Sequence, residues 1–185
     1  TVQEKNITYP TDGKLAIKII NRANKLAKKY GLKQRRTYRK EVKDLRLQLR
    51  NFRHPRKRVK ARRAMKRLRT ISGILLRELE RTLPNDVINM ESDNFKLYRR
   101  VLSQKPKDKN KIYSLHEPQV YCIGKGKDHV QYEYGAKASI ISTATNGIIV
   151  GVSNHAVNQH DSKTLEDAFA SVERTIGILP KSAAC

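Results

Sequence analysis

Lysine and arginine side chains are concentrated between residues 33 and 69, and their positive charge is the clearest chemistry that the sequence offers. Only Glu41 and Asp44 interrupt this run of cations. Because an ordinary solvated helical face mixes both signs of charge, the pattern favours contact with a nucleic-acid backbone. Such contacts hold phosphates and do not imply that base sequence is read. The predicted DNA-binding residues are Arg35, Arg36, Arg39, Lys40, Arg56, Lys57, Arg58, Arg62, Arg63, Lys66 and Arg67.

Two shorter motifs offer other chemistry. The run Gly124-Lys125-Gly126-Lys127 looks like a phosphate loop. A Walker motif, however, needs Gly where this chain has Tyr121, and Ser or Thr where it has Asp128, so we expect a basic turn.

The second motif consists of His155, His160 and Asp161, which could form a two-histidine, one-carboxylate metal site. Asp161 is equally well placed to cap a helix. We therefore predict no metal-binding residue and no catalytic residue in this chain.

The positive charge is confined to the first part of the chain. Residues 1–110 contain 33 Lys and Arg against 10 Asp and Glu, whereas residues 111–185 contain seven of each kind. Two distant cysteines, Cys122 and Cys185, exclude a disulfide framework and fit a reducing, intracellular setting. No apolar run approaches the ~20 residues of a membrane span, so no membrane contact is expected. The chain has neither a signal-peptide pattern nor an initiator Met, and we expect it to be processed or incomplete.

Apolar residues recur at helical spacing through the basic part. They predict a helix from Thr11-Asp12 to Gly31, a second from Tyr38 to Phe52 with Thr37 as its N-cap, and a third from Arg56 to Pro84. The second and third should form an antiparallel hairpin. A shorter helix from Ser92 closes this part.

The apolar period changes from 3.6 to 2 at Val130, which predicts a half-buried strand over Val130–Thr143. Asn146-Gly147 is typical of a tight turn, and Ile148–Ser153 would return as the antiparallel partner. A helix is expected from Asp161 or Ser162 to Gly177, followed by a further strand from Ile178 to Cys185. The residues predicted to face inward are Val130, Tyr132, Tyr134, Ala136, Ala138 and Ile140 in the strand, and Leu165, Phe169, Val172 and Ile176 in the helix.

Several motifs of this chain resemble one family. The chain is similar to bacterial insertion-sequence transposases of the DDE, RNase H-like superfamily, in the region that follows their first catalytic Asp. The matching segments are residues 1–12 (TVQEKNITYPTD), 112–118 (IYSLHEP), 124–127 (GKGK), 132–137 (YEYGAK) and 158–165 (NQHDSKTL).

The resemblance implies an α+β protein with a partial RNase H-like core and a large basic all-α insertion. Residues 1–11 would be the end of the first core strand and a loop, residues 12–110 the DNA-binding helical insertion, and residues 111–185 the partial catalytic core, made of an antiparallel hairpin, a helix and a further strand. The insertion would hold transposon-end or target DNA.

Transposases of this family use two Asp and one Glu to hold a pair of divalent metal ions, usually Mg²⁺, for DNA cleavage and strand transfer. The resemblance places all three acids outside Thr1–Cys185 and makes Asp161 a structural support. We therefore expect Mg²⁺ in the full-length enzyme, no metal bound by this chain alone, and no activity without the missing acids. The full-length protein could form a homo-oligomer, in the cytoplasm with the bacterial nucleoid. The alternatives are a non-catalytic basic nucleic-acid-binding protein and an inhibitory transposase remnant.

Overall fold

The computed structural model describes residues 2–4, 7, 11–125 and 131–183. It is α+β and divides into two compact units. The helical unit comprises Ile7–His116, and the sheet unit comprises Thr1–Asn6 with Glu117–Cys185. Residues 111–116 group with the helical unit because Ile112 and Leu115 are buried in its core.

The helical unit contains five helices among its described residues. They are α1 (Thr11–Lys29), α2 (Arg39–Leu49), α3 (Arg58–Thr82), α4 (Asn85–Met90) and α5 (Ser92–Ser103). The predicted helices α1, α3 and α5 are confirmed, and α2 is confirmed with its last turn shorter than expected. Helix α4, which the sequence did not predict, has only six residues and buries one apolar side chain, Val87.

One apolar core joins these helices. Its fully buried side chains come mainly from α1 and α3, where Ile19, Leu68 and Ile71 are inaccessible to solvent. Helices α2 and α3 run antiparallel: they are joined by the short segment 50–57, and Glu41 of α2 pairs with Arg67 of α3 at similar distances from that segment. The predicted helical hairpin is therefore confirmed. Gly13 lets α1 approach α2 closely, because a Cβ at this position would lie 2.7 Å from Leu49 Cδ1.

The start of α2 differs from the sequence prediction. Thr37 is not a side-chain cap; its carbonyl oxygen accepts a hydrogen bond from Asn24 Nδ2 at 3.0 Å. Tyr38 occupies the N-cap position in a left-handed conformation, with φ 56°, and makes no capping hydrogen bond through its side chain. The bond from α1 therefore fixes the segment that precedes α2, while the N–H groups of the first turn have no side-chain cap.

Four antiparallel strands are described in the sheet unit: β1 (Val2–Glu4), β2 (Tyr121–Gly124), β3 (Tyr132–Ser142) and β4 (Ile149–His155). Strand β1 pairs with one edge of β3. Strands β2 and β4 both pair with the opposite edge, β2 along the first part of β3 and β4 along the rest. The Tyr121 hydroxyl joins the two halves of that edge, since it accepts from Lys137 N at 2.7 Å and donates to the His155 carbonyl at 3.2 Å.

The predicted β3–β4 hairpin is confirmed over the described residues, and Val130 lies outside them. Gly147 has φ 63° in the connecting turn, where Thr143 N donates to the Ile148 carbonyl at 2.9 Å. Strand β4 extends two residues beyond the predicted end at Ser153, as far as His155.

A single 3₁₀ turn (Asp161–Thr164) leads into helix α6 (Leu165–Ile176), which packs against β4. The predicted inward face of β3 is wrong. Helix α6 covers the opposite face, where Gly151 approaches Val172 so closely that a Cβ would lie 2.8 Å from Val172 Cγ2. Ile140 and its cross-strand partner Val152 are consequently 49% and 56% exposed.

The inward face of α6 also differs from the prediction. Val172 is buried together with Ala168 and Ser171, whereas Leu165 and Ile176 are exposed. Because α6 meets the sheet at the glycine of β4, its small residues make the contact.

The further strand predicted from Ile178 is absent from the described residues 178–183, which form no helix or strand. Gly177 ends α6 in a left-handed conformation, and Ile178 and Leu179 are exposed. Pro180 lacks the backbone N–H that a strand ladder requires. Ala184 and Cys185 lie outside the described part.

A buried carboxylate fixes the centre of the helical unit. Asp12, in the first turn of α1, lies 3.0 Å from Lys111 Nζ and 3.4 Å from an Arg69 amino nitrogen. Gln104 Nε2 donates to Asp12 Oδ1 at 3.0 Å and also pairs with the backbone of Ile112. The carboxylate therefore holds the start of α1, the middle of α3 and the segment after α5 together.

Replacing this carboxylate should destabilise the helical unit. In Asp12→Asn the Lys111 ammonium group, whose side chain is only 8% exposed, loses its counter-charge. We expect a loss of about 3 kcal/mol, the low end for breaking a buried ion pair, because Arg69 still reaches water. The measurement is urea denaturation followed by far-UV circular dichroism. Asp93→Asn removes an exposed ion pair with Lys96 and should change stability by less than about 0.5 kcal/mol. Equal stability of the two variants would contradict the role of Asp12.

Candidate nucleic-acid interface

The hairpin of α2 and α3 has an apolar side and a cationic side. Val42, Leu45 and Leu49 of α2 are buried, as are Ala61, Ala64 and Leu68 of α3. The segment from Lys33 to Arg69 contains 18 lysines and arginines. Because the helical period turns the apolar residues inward, the remaining positions carry these cations outward.

The structure places all eleven predicted DNA-binding residues on the exposed surface of the helical unit. Arg35 and Arg36 precede α2, and Arg39 and Lys40 form its first turn. Arg56 and Lys57 lie in the connecting segment. The remaining five, Arg58, Arg62, Arg63, Lys66 and Arg67, lie on the first half of α3. The prediction thus selected side chains that are accessible to a partner.

Two acids near these cations, Glu41 and Glu78, already have partners. Glu41 accepts two hydrogen bonds from the Arg67 guanidinium, at 2.6 and 3.2 Å, and this hydrogen bonding lowers the pKa of the Glu41 carboxyl. Glu78 Oε1 accepts from Arg35 N at 2.9 Å. Among the residues that the structure describes, the other ten predicted cations have no carboxylate within 4 Å. No ion pair with the described part of the chain therefore neutralises their charge.

Helix α1 adds cations that the prediction omitted. The pKa of Lys14 is lowered, first by burial and then by the neighbouring positive charges of Arg46 and Lys18. The spacing of Lys14 and Lys18, one helical turn apart on the exposed face of α1, was the signal available in the sequence. Like charges held this close favour an anion beside them.

A groove opens where the start of α2 meets the second half of α3. Its volume is about 380 Å³, and it is lined by Arg35, Arg36, Tyr38, Ile74, Glu78 and Arg81. In the sequence, Tyr38 fits the apolar stripe of α2. This pattern gave no sign that its ring lies in a groove with the neighbouring arginines. In the structure the Tyr38 ring is half-buried, and Arg67 Cζ lies 5.9 Å from its centre.

The other sequence candidates do not converge. His155 is buried, with Nε2 3.0 Å from Ser139 Oγ and Nδ1 3.1 Å from Gln159 Nε2. His160 is exposed and bonds Ser162. In the described ranges, no group of three or more His, Cys, Asp or Glu side chains could hold a metal ion.

Asp161 and the glycine-lysine motif have other roles. Asp161 is not the predicted N-cap, because His160 caps the 3₁₀ turn by accepting from Ser162 N. Asp161 pairs instead with Lys137 of β3. Gly124 ends β2 and Lys125 pairs with Glu133 at 2.9 Å, while Gly126 and Lys127 lie outside the described residues.

No family of known proteins, no curated protein and no solved structure matches this chain. Among the described helices, none has the length and apolar character needed to cross a membrane.

The pair of Asp161 and Lys137 should make the stability of the sheet unit depend on pH. The hydrogen bond and charge of Lys137 lower the pKa of Asp161, so the unfolded chain binds the proton more readily than the folded one. The stabilisation is then complete above the unfolded pKa and is lost as the pH falls through the lowered folded value. Asp161→Asn should be less stable than wild type near neutral pH, and the difference should shrink in acid.

Urea denaturation from neutral pH into acid measures this effect. Glu166→Gln is the matched control, because it removes an exposed carboxylate of the same unit that forms no ion pair with the described residues. A difference between Asp161→Asn and wild type that stays constant across this range would show that the charge of Asp161 does not stabilise the fold.

Proposed function

We propose that this chain is the DNA-binding part of a bacterial insertion-sequence transposase of the DDE, RNase H-like superfamily. The observation that carries the proposal is the set of ten exposed cations on and beside the α2–α3 hairpin, none of which has a carboxylate partner among the residues that the structure describes. Clustered cations of this kind bind phosphates by releasing condensed counterions. The sequence resemblance indicates the transposase family, and the clustered positive charge indicates DNA as the binding partner.

The cationic surface of the α2–α3 hairpin is better suited to binding phosphates than to reading base edges. Lysines and arginines dominate it, whereas base reading in the major groove also uses Asn, Gln and small polar residues at defined positions. The helices are anchored through buried apolar side chains, so the cations project from a fixed frame. We therefore propose that the hairpin positions transposon-end or target DNA with weak sequence preference.

The order of elements in the sheet unit supports the family assignment. A strand at the start of the chain pairs with β3, the β3–β4 hairpin follows, and α6 comes next. This order is consistent with the strands, hairpin and helix of the partial RNase H-like core that the resemblance implies, but not with its further strand, which the described residues 178–183 do not form. In this proposal residues 12–110 are the helical insertion. Asp161 then serves as a structural residue through its pair with Lys137.

Metal-dependent cleavage and strand transfer belong, in this proposal, to the whole transposase. Because the resemblance places the metal-binding acids outside Thr1–Cys185, we assign no metal-dependent step to this chain. The full-length protein would form a homo-oligomer and act at the bacterial nucleoid.

The DNA that flanks the coding segment tests the family assignment. We expect an Asp codon upstream, an Asp-Arg-Gly-Tyr motif downstream and terminal inverted repeats.

The main alternative is a non-catalytic basic nucleic-acid-binding protein, which the net charge of +23 favours by itself. An inhibitory transposase remnant is a variant of the first proposal. Flanking DNA without those motifs and without inverted repeats would favour the basic binding protein.

DNA binding should depend steeply on salt. If the hairpin neutralises six phosphates, log K should fall with log salt with a slope of about −5. Replacing Arg56, Lys57, Arg58, Arg62 and Arg63 together with Gln should make this slope shallower by about 4, because each phosphate contact contributes about 0.9. Fluorescence anisotropy with a labelled duplex, measured across a salt series, gives both slopes.

A matched control removes the same charge elsewhere. Lys96, Arg100, Lys105, Lys107 and Lys109 are exposed on or after α5, and replacing all five with Gln should leave most of the slope intact. If the two five-residue variants lose equal slope, net charge rather than the hairpin is responsible for binding.

A further inference from the structure

The groove beside Tyr38 combines two kinds of side chain that nucleotides require. Arg35, Arg36 and Arg81 supply guanidinium groups, which bind phosphates, and Tyr38 supplies an aromatic ring, on which a base can stack. Ile74 contributes an apolar wall. Arg67, which lies over the ring, is not among the residues that line the groove.

The walls of the groove are held in place before any partner binds. Arg35 N donates to Glu78 Oε1 on α3, and the Thr37 carbonyl accepts from Asn24 on α1, so the segment before α2 is tied on both sides. Tyr38 itself has a left-handed backbone, which is costly for a residue other than Gly and therefore needs such support. Its carbonyl oxygen still accepts from Val42 N at 2.9 Å, which starts α2.

Because a base must stack on the Tyr38 ring, the groove can bind only those forms of DNA in which a base has a free face. In an intact duplex each base is stacked between its neighbours, so its face is not available to a side chain. A base in a single-stranded tail, or one turned out of the helix, presents a free face. The Glu78 carboxylate, on the same groove wall, can accept a hydrogen bond from the exocyclic amino group of such a base.

We infer that this groove binds one unpaired nucleotide of the DNA, with its base against Tyr38 and its phosphates against Arg35 and Arg36. The inference rests on the proposed DNA-binding function and adds a site for single-stranded DNA beside the phosphate-binding hairpin. The site gives the chain a preference for DNA whose strands are partly separated.

The test compares a blunt duplex with the same duplex carrying a short single-stranded tail. Wild type should bind the tailed DNA more tightly. Tyr38→Ala should lose roughly 5- to 150-fold in affinity for tailed DNA, the range for one base–aromatic stack, and keep its affinity for the blunt duplex. Tyr38→Phe keeps the ring and should retain the preference. A 2-aminopurine at the first unpaired position should be quenched by wild type and by Tyr38→Phe, but not by Tyr38→Ala.

A second variant tests the groove independently, so that the result does not depend on whether Tyr38→Ala folds. Arg36→Gln with Arg81→Gln leaves the ring in place and should weaken binding of tailed DNA more than binding of the blunt duplex. Equal losses on both DNAs for both variants, or a wild type that does not distinguish the two DNAs, would overturn the inference. In that case salt-dependent binding of the blunt duplex through the hairpin would still support the proposed function, so the two failures are distinguishable.

Discussion

The Asp12 carboxylate, buried among Arg69, Lys111 and Gln104, is the interaction on which the architecture of the helical unit depends. A domain this rich in cations repels itself on folding, and the cost is greatest where the charges are removed from water. Asp12 supplies a counter-charge that Lys111 and Arg69 share, and an acid in the first turn also suits the positive end of the α1 dipole. The same carboxylate fixes the position of α3 relative to α1, and with it the direction in which the hairpin cations project.

Two further acids of this unit also join helices, at its surface. Glu41 pairs with Arg67, and Glu80 pairs with Arg99 at 2.6 Å. Both pairs link separate helices, so these anions connect the frame and leave the surrounding cations without partners. Exposed pairs of this kind add little to stability. Each acid forms its ion pair with one arginine, so the cations around the pair stay available to a polyanion.

Apolar period predicted the longer helices and the β3–β4 hairpin, but it missed α4, predicted a strand from Ile178 that is absent from the described residues, and did not predict the contacts between elements. The alternation from Tyr132 to Ile140 correctly indicated a strand, yet it could not show which face α6 covers, because this depends on the close approach of Gly151 to Val172. The left-handed backbone of Tyr38 depends on tertiary hydrogen bonds and has no local signal. The exposed cations, in contrast, were predictable residue by residue, since charged side chains at outward positions of an amphipathic helix stay in water.

A helical hairpin presents its cations differently from a flexible basic tail. Both can release counterions from DNA, but a tail loses conformational freedom when it binds, whereas side chains on α2 and α3 lose only their own rotamer freedom. The fixed spacing also means that phosphates must take up defined positions relative to the apolar core. Charge alone would therefore orient the DNA without identifying its sequence or its state. Any discrimination between DNAs must come from other features, and the groove at Tyr38 is one such feature, because it shares Arg35 and Arg36 with the cationic surface.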